Sequence, residues 1–171
     1  MSNAAAIETI RQQLMLDRAQ FTAAVESVPS DRRNDRPAPD RWSVAEIIEH
    51  IAIVEQRTAV GFGQLVAAAP DLVAGAAVEA TPFDRSKILN RTTKANAPDF
   101  VMPASGITFD AAWASLTQAW AAVDVLLNNS VGKDLTTVGR AHPFLGQLDG
   151  YQWLNSIGGH ELRHAEQIKE A

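Results

Sequence analysis

The chain reads as an all-α protein, a four-helix bundle. Three observations predict it. Apolar residues recur at three- and four-residue steps in four separate stretches, helix-start signals stand ahead of three of them, and strand-like alternation is missing. The 171 residues match the usual size of one domain, taken as 1–171, and suffice to bury a core without covalent staples.

The first helix is expected over about residues 5–28. Ile7, Ile10, Leu14, Phe21, Val25 and Val28 share one stripe, with Asp17 in the slot where another apolar residue belongs. Pro29 ends it, and Pro37 and Pro39 keep the following stretch extended. Arginines between Arg32 and Arg41 interleave with Asp31, Asp35 and Asp40, which marks a solvated loop and not a phosphate-binding patch.

The second helix starts at Ser43, where Ser43-Val44-Ala45-Glu46 forms a capping box. Val44, Ile47, Ile48, Ile51 and Val54 continue its apolar side to about residue 69, and Pro70 stops it. Residues 70–107 hold no sustained period. They read as a long crossover between helices 2 and 3, with a short helix near 84–93, that partly covers a pocket; a poorly ordered linker is the alternative.

The third helix is the most regular. Phe109, Trp113, Leu116, Trp120, Val123 and Leu127 alternate in steps of four and three behind a Thr108 cap, as in a bundle seam. The two tryptophans read as core or interface filler. A loop is expected from there to Leu148. Asp149 then caps a fourth helix with Gln152 at its third position, and Tyr151, Leu154, Ile157, Ala165 and Ile168 form its apolar side. Gly158-Gly159 inside this helix costs roughly 1 kcal/mol per glycine, so the position needs close helix approach or room beside His160.

Function classes narrow from composition. With no cysteine, disulfides, thiolate metal sites and a cysteine nucleophile are excluded. A net charge of −5 argues against nucleic acid as the main partner. The N-terminus lacks a secretory pattern and no apolar run is long enough to span a membrane, so a cytoplasmic protein is expected.

Four histidines remain as candidate ligands. His160 and His164 lie one turn apart, so their imidazoles project side by side. His50 borders the apolar stripe of helix two and could complete a three-histidine site. Neutral imidazoles suit Zn, Ni, Fe or Cu, and three protein ligands leave an open position for water or substrate. His142 precedes Pro143, so its backbone is extended and its role is structural or substrate-adjacent. Glu49, Glu161 and Gln167 could contact the ligands but read as surface residues. His160-Glu161-Leu162-Arg163-His164 also matches the short metalloprotease pattern, yet no strand-rich half precedes it to align a peptide.

Taken in order, Trp42-Ser43-Val44, His50, a long connection, His142-Pro143-x-x-Gly146 and His160-x-x-Arg163-His164-x-x-Gln167-Ile168 resemble the DinB-like superfamily over about residues 5–170. These are metal-binding four-helix bundles that include metal-dependent hydrolases and thiol S-transferases. The resemblance implies an up-up-down-down order, a homodimer, and a Zn or Ni ion held by one histidine of helix two and two of helix four. Those positions are His50, His160 and His164 here. It also implies a small-molecule substrate and, for some members, a low-molecular-weight thiol as co-reactant. The expected function is therefore a metal-dependent enzyme that activates a small thiol for transfer to an electrophile. The alternatives are a hydrolase using metal-bound water and a non-enzymatic ligand-binding or dimeric bundle.

Overall fold

The computed structural model describes residues 1–73, 75–80, 82–92 and 96–170. Four long helices carry the fold: α1 (Asn3–Glu26), α2 (Val44–Ala68), α4 (Phe109–Asn129) and α5 (Gly150–Ile168). A short helix, α3 (Ser86–Leu89), lies in the crossover, and a hairpin of β1 (Gly139–His142) and β2 (Gly146–Asp149) precedes α5. No helix among the described residues is long and apolar enough to cross a membrane.

Helix starts fall where the caps place them. The Ser43 hydroxyl accepts from the Glu46 amide at 3.2 Å while the Glu46 carboxylate accepts from the Ser43 amide at 2.8 Å. Asp149 and Gln152 make the same reciprocal pair at the start of α5. Thr108 caps α4 and Ser2 caps α1. The expected short helix near 84–93 is a single turn.

Helix directions correct one expectation. Asn3 meets Tyr151 at the starts of α1 and α5, and Arg18 meets Glu161 farther along both, so these two helices are parallel. Gly63 lies against Leu126, and Ala52 and Ile53 share a groove with Ser115 and Gln118 one stage earlier, so α2 and α4 are parallel too. His50 packs by His164 and Phe62 by Trp153, which sets α2 antiparallel to α5. The order is up-down-down-up, not the up-up-down-down that the resemblance implied. The longest connection, between Ala68 and Phe109, returns the chain to the starting end of α2, while the chain reverses direction after α1 and after α4.

The loop expected before Leu148 is instead partly the hairpin, with Gly139 paired to Asp149 and His142 to Gly146. Its strands are four residues each and mostly exposed, so no buried alternation announced them. Gly146 closes the turn at φ +79°, a conformation that suits glycine.

Two apolar layers fill the bundle. One groups Ile7, Ile10, Leu14, Phe62, Val66, Leu127, Tyr151 and Leu154; the other groups Phe21, Val25, Ile47, Ile48, Ile51, Leu116 and Ile168. Trp113 and Trp120 border the second layer, as filler residues should. Between the layers lies a buried polar belt of Asp17, Glu55 and Glu161 with Arg18. Gly158 and Gly159 are there for close approach. A Cβ on Gly158 would stand 2.1 Å from Asp17 Oδ2, and one on Gly159 would stand 2.6 Å from Ile88 Cγ2.

Candidate metal centre

His50 sits two turns into α2, 5% exposed, with the Trp42 ring 5.0 Å away. Its Nδ1 lies 2.8 Å from the Val101 carbonyl, in the turn Asp99–Val101 of the crossover. The adjacent Glu49 carboxylate accepts from the Ala104 amide at 2.7 Å. Two neighbouring residues of α2 thus pin the crossover beside the site.

His160 and His164 project from one face of α5. Their Nε2 atoms are 3.0 Å apart, and their ring centroids lie 5.3 and 5.0 Å from that of His50. Each of the three residues offers one nitrogen within 4.8 Å of the others, so together they could hold a metal ion. The Nδ1 of His164 lies 2.8 Å from Gln167 Oε1.

These contacts determine where the protons are. A carbonyl and an amide oxygen only accept, so Nδ1–H donates on both His50 and His164. Both rings therefore carry their lone pair on Nε2, the tautomer a metal needs. Burial lowers the pKa of all three histidines. It brings His164 to about 3, with His50 adding to the effect. It takes His160 well below its usual value, helped by His164 and His50, and lowers His50 against the Val101 bond. Neutral rings at pH 7 are competent ligands. Two neutral Nε2 atoms at 3.0 Å need a proton or a cation between their lone pairs, and His160 Nδ1 is buried without a partner. Three neutral imidazoles are a donor set that could hold a metal ion.

Three residues read as surface positions take other places. Gln167 is half-buried and orients His164. Glu49 anchors the crossover. Glu161 is fully buried, accepting from Trp120 Nε1 at 3.1 Å and pairing with Arg18 at 3.4 Å. Its carboxylate is thus engaged in the polar belt, which removes it as the general base that the metalloprotease pattern would require. Burial pushes Glu161 and Glu55 up, and Glu161 raises Glu55 further. His142 stays outside the three-histidine group. Its ring packs 5.0 Å from Trp153, and its Nδ1 accepts from the Phe144 amide at 3.2 Å.

Sequence reasoning missed the Val101 carbonyl, which no side-chain pattern can reveal. It also missed Arg18 and Glu55. A signal for these existed: Glu55 continues the buried stripe through Ile48 and Ile51, and Asp17 and Arg18 fill the gap between Leu14 and Phe21.

The chain matches the family model of the DinB superfamily over residues 13–168. It is 25% identical over 154 residues to "Uncharacterized protein YuaE" of Bacillus subtilis (strain 168), covering 85% of this chain and 86% of that protein. A solved structure described as "Crystal structure of TT2238, a four-helix bundle protein" superposes with a TM-score of 0.59 at 19% identity, over 96% of this chain and 99% of that one. At that identity the likeness concerns the fold alone.

Proposed function

From a chain that belongs to the DinB superfamily, we propose a metal-dependent enzyme that conjugates a small thiol to an electrophile, with His50, His160 and His164 as the metal ligands. The supporting observation is that the three imidazoles each offer one nitrogen within 4.8 Å of the others, with His50 and His164 held in the ligating tautomer by Val101 and Gln167. A divalent metal bound there supplies a Lewis acid that lowers the pKa of a bound thiol or water.

The remaining work falls to the chain itself. Val101 and Gln167 hold two rings in orientation and raise their basicity. Trp42 and the Asp99–Val101 turn keep water from one side of His50. Ile88, packed on Gly159, fixes α5 beside His160. In the proposed reaction the thiol loses its proton to solvent, its sulfur bonds to an electrophilic carbon, and the leaving group departs with its electron pair.

The test is to incubate metal-loaded protein with a thiol and a haloalkyl electrophile. Conjugate should form, and chelation or His50→Ala should abolish it. Metal-dependent cleavage of an ester with no thiol present would replace this reading with a hydrolase.

A further inference from the structure

Side chains two apart on a strand share a face, so Arg140 and His142 of β1 project the same way. The Arg140 guanidinium lies against α2, where a Cβ on Gly61 would come 3.2 Å from its Nη1. The His142 ring lies on Trp153 of α5, which itself stacks on Phe62 of α2 and donates its indole N–H to the Arg140 carbonyl at 2.9 Å. The two side chains therefore bridge α2 and α5.

They bridge them along the stripes that carry the three histidines. On α5, Trp153 and His160 are two turns apart, about 10 Å; on α2, His50 and Gly61 are three turns apart, about 16 Å.

Both groups have unused donors. Among the described residues the Arg140 guanidinium makes no hydrogen bond or ion pair. The Nδ1 of His142 accepts from Phe144, so a neutral His142 carries its proton on Nε2, which has no partner among the described residues. No carboxylate lies between the hairpin and the histidines on either stripe. Val54 and Arg57 occupy that interval on α2 and Ile157 on α5, while Glu55 faces Arg18 in the interior. A guanidinium fork with one further N–H suits the two oxygens of a carboxylate.

We infer that Arg140 and His142 form the acid-binding end of the substrate site, and that the molecule acted on is an elongated small acid whose carboxylate is held by the hairpin while its reactive end lies at the three histidines. This rests on the metal reading proposed above, and the experiment separates the two. ω-Mercaptooctanoate and ω-mercaptooctanol are titrated calorimetrically into metal-loaded protein. The acid should bind roughly tenfold more tightly than the alcohol. Arg140→Gln should erase that gap and leave the alcohol unaffected, and His142→Ala should narrow it. Equal affinities in the wild type, or a gap that survives Arg140→Gln, would overturn the inference.

Octanoate titrated into protein held in chelator distinguishes the failures. Arg140-dependent octanoate binding, without metal-dependent thiol binding, would keep the acid site and reject the metal. Metal-dependent thiol binding with no preference for the acid would do the reverse.

Discussion

Arg18 of α1 stands 3.4 Å from Glu161 of α5, and the same guanidinium lies 3.1 Å from Asp124 of α4 and 3.9 Å from Glu55 of α2. One side chain thus reaches the other three helices of the bundle. Two buried carboxyl groups facing one buried cation cannot both ionise cheaply, which is why both are pushed up.

Removing the cation leaves those carboxyl groups uncompensated. Arg18→Ala should destabilise the protein by about 3–5 kcal/mol, the range for breaking a buried ion pair. Urea unfolding at pH 7 measures it. A loss below about 1 kcal/mol would mean the network is hydrated and weak.

Gly158 faces Asp17, which is held in place by Arg85 and Gln13. In an open helix Gly→Ala would gain about 1 kcal/mol, but overpacking here costs roughly 1–3 kcal/mol. Gly158→Ala should therefore be net destabilising. In Asp17→Ala/Gly158→Ala the alanine should become neutral or favourable, and simple additivity of the two changes would show that no clash exists.

Gln167 orients His164 through the ring nitrogen that faces away from His160. Gln167→Ala should weaken metal binding about 10–100-fold while leaving the fold intact. Competition with a chromophoric chelator reads the affinity, and an unchanged value would remove Gln167 from the site.

The His164 shift fixes a pH dependence. Its pKa in the folded protein is about 3, below the unfolded value, so falling pH protonates the unfolded chain first. Its contribution is fully present above pH ~6.5 and is lost between there and about pH 3, at up to about 1.4 kcal/mol per pH unit. Glu55 and Glu161 are raised and act oppositely above pH ~4.5, so the histidine effect must be read as a difference. In chelator, the stability of wild type minus that of His164→Asn should shrink as pH falls from 7 to 5. A constant difference would contradict the buried, neutral ring.

Most of the fold was legible because caps and apolar stripes are local. Ser43–Glu46 and Asp149–Gln152 place two helix starts from four residues each. The helix order was not legible, because each connection between the long helices is long enough to leave either direction open, and the resemblance implied another order. The hairpin was not legible, because its strands bury little beyond Leu148. At the site, spacing pointed to His160 and His164 and a stripe edge to His50. Glu161 was misread because a glutamate on an amphipathic helix is ordinarily solvated. Its burial depends on Arg18, a residue 143 positions away.

The central claim is that His50, His160 and His164 share one divalent ion. Elemental analysis of the protein as isolated, beside His164→Ala of equal helical content, tests it most directly. About one equivalent of metal per chain in the wild type, lost in the variant, is the predicted result. The same metal content in both proteins, or none in either after purification without chelator, would contradict it.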